Sequence, residues 1–387
     1  MAFKNVVILG STGTIGINTL KVIDRYPDRF QVVGLSACKN LKEIEAQIHK
    51  YHPTYVAVQG DQISKLRRCL TMDPAPEILD VHHELEVMIC RKDVDIVVIG
   101  MSGRAALEPF LSAVRAGKTV APANKEALVI AGEMIMQAAR QYGAKVIPVD
   151  SEQSAIFQCL EGNRKQDLQK IVLTASGGPL DQVPAARFDE LSLEDILKHP
   201  RWKMGRKITV DSATLMNKGF EVIEAARLFD LQVDDIEVVI HPEAIIHSMV
   251  CYKDGSLLAQ LGVPDMQIPI QFALTYPERW STGFPSIDFC QLAQLNFRKP
   301  DLNKFPCLAL AIHTAKQGGT LPAVLNAADE VAVQAFLDGR IAFSAIYKTV
   351  AGIVEKHRIR HRPSLEEIRE ADDWARETTK DFLGLDG

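Results

Sequence analysis

Val6-Val7-Ile8-Leu9, the turn Gly10-Ser11-Thr12-Gly13-Thr14-Ile15-Gly16 and a helical pattern through Leu20, Val22 and Ile23 form the stretch that most limits what this chain can become. The apolar run reads as a buried strand, the glycines as a tight turn and the remainder as a helix. Glycine lets the backbone approach a pyrophosphate, which settles on the free N–H groups at the helix N-terminus. The spacing is G-x-x-G-x-x-G, a variant of the usual G-x-G-x-x-G, placed directly after a strand. A dinucleotide-binding domain is the expectation.

The alternation continues. Strand-like runs recur at 31–36, 55–58, 95–100 and 118–121, with helical stretches between them. This predicts a parallel sheet with ligands at the carboxyl ends of its strands. Asn124-Lys125-Glu126 falls at one such end, where it reads equally as a plain helix start. The second strand leads into Ala37-Cys38-Lys39-Asn40. An NAD-selective domain usually places an acid there for the ribose 2′-hydroxyl. Ser36, Lys39 and Asn40 suit a 2′-phosphate instead, which favours NADP(H).

At 387 residues the chain is too long for one ordinary core. Its 47% hydrophobic and 24% charged content is that of a globular protein. A net charge of −5 gives no footprint for nucleic acid. No apolar run approaches the roughly 18 residues that span a bilayer, so no membrane partner is expected. The seven cysteines are odd in number, scattered and never in a C-x-x-C pair. That predicts a reducing compartment without structural zinc or disulfides. Met1-Ala2-Phe3-Lys4-Asn5 runs straight into the first strand, with no leader pattern. A cytoplasmic location is the expectation.

The chemistry gathers between 144 and 250. Asp150-Ser151-Glu152 closes an apolar run, 144–149, that reads as a strand. In extended backbone, residues two apart point to one side, so the two acids converge. Carboxylates that close repel unless a cation or shared proton sits between them, and a hard divalent ion suits oxygen ligands. A helix N-cap is the plainer reading. Thr174-Ala175-Ser176-Gly177-Gly178-Pro179 follows another strand and is either an anion nest or a simple turn. Residues 199–207, His-Pro-Arg-Trp-Lys-Met-Gly-Arg-Lys, read as a basic loop able to fold over an anion as a lid, or as a solvated connector. Asp211-Ser212 is expected to start a helix through Glu224, with Met216, Phe220, Ile223 and Ala226 apolar and Asn217, Lys218, Glu221 and Glu224 on the opposite, exposed arc. Glu221 offers a third oxygen ligand; Ser212, Asn217 and Lys218 offer a phosphate grip. His241-Pro242-Glu243-Ala244-Ile245-Ile246-His247-Ser248 follows a further strand, and His247 is either a ligand contact or a satisfied buried histidine.

Taken together and in this order, these motifs closely resemble the 1-deoxy-D-xylulose 5-phosphate reductoisomerase family over essentially the whole chain. Asp-Ser-Glu with Asn-Lys-Gly-x-Glu is the most specific part of the match. The resemblance implies conversion of 1-deoxy-D-xylulose 5-phosphate to 2-C-methyl-D-erythritol 4-phosphate with NADPH and Mg²⁺ or Mn²⁺, by retro-aldol cleavage, re-addition and hydride transfer. It implies metal ligation by Asp150, Glu152 and Glu221. Ser176, Ser212, Asn217 and Lys218 would bind the substrate phosphate, with His199 nearby. Lys125, Ser151 and Glu152 would face the ketone and hydroxyls, Glu152 moving a proton, and His247 would lie beside the reacting carbons. Trp202, Met204 and Met266 would cover substrate and nicotinamide. Thr12, Gly13, Thr14, Ile15, Cys38, Lys39, Asn40, Asn124, Glu126, Met204 and Gly205 would meet NADPH. Cys38 stands where the family usually has glycine, a strained place if its φ is positive. Members of the family are homodimers.

The expected class is α/β: a Rossmann-like NADP-binding domain at 1–150, an α/β catalytic domain at 151–290 with the lid at 199–207, and a linker with a C-terminal helical bundle at 291–387. Four amphipathic stretches, near 308–314, 323–337, 342–355 and 365–382, carry no visible chemistry. A semialdehyde or homoserine-type dehydrogenase and a non-catalytic NADP(H) sensor are the alternatives. The first needs a cysteine nucleophile, for which mid-helix Cys159 is poorly placed, and none uses three carboxylates.

Overall fold

The computed structural model describes residues 3–202 and 204–385. Met1 and Ala2 of the leaderless start, Lys203 of the basic loop, and Asp386 and Gly387 lie outside the described residues. The chain forms two compact units, one of Met1–Ala127, Glu133–Ser154 and Asp265–Phe284, the other of Leu128–Gly132, Ala155–Pro264 and Pro285–Gly387.

The first unit is built on seven strands: β1 (Lys4–Leu9), β2 (Phe30–Ser36), β3 (Tyr55–Val58), β4 (Glu77–Asp80), β5 (Ile96–Ile99), β6 (Thr119–Pro122) and β7 (Lys145–Val146). Their order is β4-β3-β2-β1-β5-β6-β7, and every neighbouring pair is parallel. Val6 to Leu9 and the whole of β5 are buried, as strands covered on both faces must be. The winding reverses between β1 and β5, which opens a crevice at their carboxyl ends. There Gly10, at φ +80, passes so close to Gly100 that a Cβ would lie 2.9 Å from its carbonyl. Helix Thr14–Arg25 follows, with Gly13 as an N-cap that makes no side-chain capping bond.

Residues 265–284, which composition gave no reason to place beside this sheet, pack in the same unit. Helix Gln267–Thr275 lies along helix Thr14–Arg25. Arg25 donates to Gln271 at 3.2 Å and to the Thr282 carbonyl at 2.9 Å, and Lys4 donates to the Leu274 carbonyl at 3.1 Å. The expected strand at 144–149 is shorter, because Pro148 has no N–H to pair. Ile147 and Val149 still donate to Val120 and Pro122 of β6, both at 2.9 Å.

The second unit holds a mixed sheet of β8 (Leu168–Ala175), β9 (Ile236–Ile240), β10 (Ile246–Tyr252) and β11 (Leu257–Leu261) in the order β11-β10-β8-β9. Only β8 and β9 run parallel. Helices Pro306–Gln317, Leu321–Leu337, Phe343–Lys356 and Leu365–Leu383 fall where the amphipathic stretches predicted. They do not form a separate core. Ile171 and Leu173 of β8, Phe220 and Ile223, and Leu308, Val324, Ile346 and Ile353 of the helices belong to one continuous cluster.

The single helix expected from Asp211 to Glu224 is two. Helix Arg206–Thr214 ends and helix Met216–Leu228 begins at Leu215, whose φ is +59. Left-handed backbone costs a leucine about 1–2 kcal/mol, and its side chain, 2% exposed, recovers comparable free energy in the core. Past the break, Gly219 lies against helix Pro306–Gln317, where a Cβ would overlap that of Ala311. Gly219→Val is therefore expected to destabilise the protein by about 1–3 kcal/mol through overpacking, read as a lower midpoint in thermal or urea unfolding. An unchanged midpoint would mean that the two helices separate freely.

Candidate active site

In the first unit the glycine turn is braced from behind. Gly10 N–H donates to the Ser36 carbonyl and hydroxyl oxygens at 3.1 and 3.0 Å, and Ser11 N–H donates to the same carbonyl at 2.8 Å. Gln47 Nε2 donates to the Ser11 carbonyl at 3.1 Å. Ser36 is 1% exposed, so it shapes the turn and does not face a ribose phosphate, contrary to the sequence expectation. Thr12 and Ile15 are half-buried, and Gly13 and Thr14 open to solvent. Gly16 is sealed beneath, where a Cβ would run into the Ser11 backbone. Lys39 and Asn40 are exposed, and Asn40 Oδ1 caps helix Leu41–Tyr51 by accepting from Glu43 N–H at 3.1 Å. Cys38 is not among the residues with positive φ, so cysteine carries no backbone strain there.

Asn124 caps helix Lys125–Tyr142. Its Oδ1 accepts from Ala127 N–H at 2.8 Å, and its amide donates to the Met101 and Gly103 carbonyls at 2.8 and 3.2 Å. The cap brings Lys125, the next residue, to the protein interior, with Nζ 2.6 Å from Asp150 Oδ2 and the two side chains only 7% and 10% exposed. Glu126 occupies the first turn, and Met266 immediately precedes helix Gln267–Thr275. Burial pushes the Asp150 carboxyl above its ordinary pKa, Lys125 opposes this, and Glu152 adds to it. The carboxylates do not converge by strand alternation. Ser151 and Glu152 begin helix Ser151–Leu160, whose first turn closes through Ser154 N–H to the Asp150 carbonyl at 2.8 Å. The strand had already ended at Val146, and the helix start brings the acids together. Ser151 Oγ donates to Glu152 Oε2 at 2.6 Å.

In the second unit Ser176 follows β8, and Gly177 and Gly178 at φ +90 and +69 form a nest of N–H groups. Gly178 abuts the end of helix Arg206–Thr214, where a Cβ would strike the Ser212 carbonyl. Ser176 Oγ accepts from Gly178 N–H at 3.3 Å and lies 3.2 Å from His199 Nε2. On the other side of that ring, Nδ1 accepts from the N–H groups of Arg201 at 3.2 Å and Trp202 at 2.9 Å. Two donors at Nδ1 assign the ring proton to Nε2, which therefore donates to Ser176. Burial lowers the pKa of His199 to about 4. The Trp202 ring lies 6.3 Å from His247, a residue of β10 that is 8% exposed. Met204 is half-buried, and Gly205 caps helix Arg206–Thr214 without a side chain.

The polar arc expected to face solvent is buried. Lys218, Glu221 and Glu224 are 3%, 1% and 1% exposed. Asn217 Nδ2 donates to Glu221 Oε1 at 2.6 Å, and Lys218 pairs with Glu221 Oε2. A buried lysine–glutamate pair does not repay its desolvation with stability, so it marks function. Cys159 is buried, and its carbonyl accepts from Tyr252 OH at 2.8 Å. That leaves no accessible nucleophile for the semialdehyde dehydrogenase alternative.

Two supports escaped the sequence reading. Lys207 Nζ lies 2.7 Å from Asp211 and 2.9 Å from Asp329, tying the helix that carries Ser212 to helix Leu321–Leu337. An aspartate and Asn326 inside the apolar run 321–337 were the available signal. His241, fully buried, accepts at Nε2 from Ile245 and Ile246 N–H at 3.3 and 3.2 Å and stacks on Phe297 at 4.7 Å. It fixes the turn that leads to His247.

A family model described as 1-deoxy-D-xylulose 5-phosphate reductoisomerase matches residues 6–132, and two models of C-terminal domains of the same enzyme match 146–229 and 261–378. The enzyme of that name from Pelotomaculum thermopropionicum is 49% identical over 96% of this chain and 97% of its own, and that from Heliobacterium modesticaldum is 49% identical over 98% of each. A crystal structure of the reductoisomerase with NADPH, fosmidomycin and magnesium superposes with a TM-score of 0.94 at 37% identity, covering 99% of both chains. The Zymomonas mobilis enzyme with NADPH gives 0.92 at 38%, again over 99% of each. Likeness of this degree runs through the glycine turn, the paired acids, the serine nest and the buried Asn-Lys-Gly-Phe-Glu helix alike, and on it the chain belongs to the 1-deoxy-D-xylulose 5-phosphate reductoisomerase family.

Proposed function

We propose that this protein rearranges and reduces 1-deoxy-D-xylulose 5-phosphate to 2-C-methyl-D-erythritol 4-phosphate, using NADPH and Mg²⁺ or Mn²⁺, in non-mevalonate isoprenoid biosynthesis. The observation that carries this is near-half identity along the whole chain to enzymes of that name. In this reading residues 1–150 bind the cofactor, 151–290 the metal and substrate, and 291–387 brace them.

The residues present fit both absent groups. At the glycine turn, Gly10 and Gly16 leave no space for a side chain, while Gly13 caps a helix whose N-terminus suits a pyrophosphate. Asp150, Glu152 and Glu221 form an oxygen-only donor set, apt for a hard divalent ion, and the burial that raises Asp150 is the environment a cation relieves. Thr12, Gly13, Thr14, Ile15, Cys38, Lys39, Asn40, Asn124, Glu126, Met204 and Gly205 are assigned to NADPH. When bound, the metal polarises the substrate carbonyl as a Lewis acid, and NADPH supplies the hydride.

The chain's own groups do the rest. Ser176 Oγ already accepts from His199 and Gly178, so its hydroxyl proton is left to donate to a phosphate oxygen. The Gly177-Gly178 nest, Ser212, Asn217 and Lys218 complete that grip. Glu152, with Ser151 donating to Oε2, moves the substrate hydroxyl proton at its other oxygen. Lys125 and His247 flank the reacting carbons, and Trp202 and Met266 exclude water. Phosphate binding remote from the bonds that change supplies free energy to close the loop 199–207.

A homodimer in the cytoplasm completes the reading. The edge strand β11 leaves Leu257 and Leu258 exposed, which supports a second copy along it. All seven cysteines are free, which supports a reducing compartment, and no described helix is long and apolar enough to cross a membrane.

The test is NADPH oxidation with 1-deoxy-D-xylulose 5-phosphate, with and without Mn²⁺, for wild type and Glu221→Gln. Turnover should need the metal and fall at least about 100-fold in the variant. A folded, metal-loaded wild type that leaves NADPH untouched would sink the assignment.

The loop adds a pH dependence. Protonated His199 cannot accept at Nδ1, and its pKa is about 4 when folded against 6.5 ordinarily. Between those values the opened loop binds more protons than the closed one, so closure is fully stabilised above about pH 6.5 and weakens towards pH 4. Hydrogen exchange at the Trp202 amide, corrected for its intrinsic rate, should lose protection across that window. In His199→Ala it should be low and flat throughout. Wild-type protection that holds down to pH 4 would remove the assigned tautomer.

A further inference from the structure

We infer that Glu221 holds the phosphate-binding side chains Lys218 and Asn217 in store until a divalent cation takes its carboxylate, so that metal and phosphate bind cooperatively. The inference rests on the metal and phosphate roles proposed above and adds a coupling between them.

The geometry lies within one helix, Met216–Leu228. Glu221 receives Asn217 Nδ2 on Oε1 from four residues before, and Lys218 Nζ on Oε2 from three before. An ion approaching either oxygen meets a donor already in place. Lys218 and Glu221 are almost wholly buried, so the carboxylate cannot stand alone without a large desolvation cost. The lysine is its counter-ion in the metal-free protein. Asn217 is committed to the same place, since its Oδ1 is buried without a hydrogen-bond partner and only its amide is engaged.

A divalent cation neutralises Glu221 better than one ammonium does. Once it binds, Lys218 becomes the buried charge in want of a partner. The phosphate site is beside it in the fold: the preceding helix ends at Thr214 just after Ser212, whose carbonyl touches Gly178 of the nest. Phosphate arriving there regains for Lys218 the charge pairing that it gave up. The same pairing recurs in the other unit, where Lys125 Nζ sits 2.6 Å from Asp150 Oδ2 and both side chains are buried. Two metal ligands thus each hold a lysine that the substrate needs.

The test is calorimetric binding of inorganic phosphate, with and without Mg²⁺, to wild type, Glu221→Gln, Lys218→Met and the double variant. Mg²⁺ should tighten phosphate binding to wild type about 5- to 150-fold, the usual span of coupling between sites, and phosphate should tighten Mg²⁺ by the same factor. Glu221→Gln should bind phosphate tightly without metal and ignore Mg²⁺. In the Lys218→Met background the gain from Glu221→Gln should vanish. A gain that survives there is through-space repulsion between the carboxylate and phosphate, and overturns the exchange. The wild-type pair of measurements needs no variant to fold, and absence of coupling in it overturns the inference as well. Wild type that consumes NADPH with substrate and metal yet shows no coupling overturns this inference alone. Wild type that binds no Mg²⁺ overturns the metal assignment with it.

Discussion

The second unit turns on one residue, Leu215, held at φ +59 between two helices. Without that break a continuous helix would carry Ser212, Lys218 and Glu221 on a single axis, and the polar arc would point to solvent as its sequence suggests. The break separates them. Ser212 stays at the end of the first helix, where its carbonyl meets Gly178, and the second helix starts afresh with Asn217, Lys218 and Glu221 in the interior. Met216 N–H finds Thr214 Oγ1 at 3.2 Å, so the interruption does not strand that donor. Strain of about 1–2 kcal/mol at one leucine is small beside the burial of its neighbours Met216 and Phe220 in the shared core.

That arrangement sets charges where charges are costly. Lys207 between Asp211 and Asp329, and Lys218 on Glu221, are buried ion pairs, and such pairs rarely repay their desolvation. The two serve different ends. Asp329 belongs to a helix packed in the core, and burial raises its carboxyl pKa against the pull of Lys207. It anchors the helix that carries Ser212, so an apolar replacement of matched volume would do similar mechanical duty. Glu221 has no such substitute, because only an oxygen ligand with exchangeable partners can hold a lysine at one time and a divalent ion at another.

How far the sequence spoke for itself follows from how local each feature is. The glycine turn was legible because strand, turn and helix are consecutive and their order alone specifies the motif. The four late helices were legible from periodicity. Asp150-Ser151-Glu152 was recognised as chemistry but set on the wrong backbone, since a short strand and a helix start look alike until Pro148 is weighed. Ser36 was misread for a related reason: a hydroxyl at a strand end can face a ligand or brace the turn beside it, and Gly10 N–H decides the matter. Asp329 was silent because its partner Lys207 is more than a hundred residues away. Burial of the Asn217–Glu224 arc was silent too, since amphipathic periodicity shows two faces but not which partners cover the polar one.

Each unit nevertheless repeats one local device: a lysine in the first turn of a helix, held against a carboxylate assigned to the metal. In the first, Asn124 caps the helix and so aims Lys125 inward; in the second, the turn at Leu215 does the same for Lys218. A first-turn lysine is a poor choice for helix stability, because the N-terminal end of the dipole repels it. That cost is accepted twice, at buried positions where an uncharged residue would pack more easily. The economical explanation is that the cation matters more than the helix. It keeps the metal ligands neutralised while the protein is empty, and the N-terminal N–H groups around it already favour the anion that will take its place.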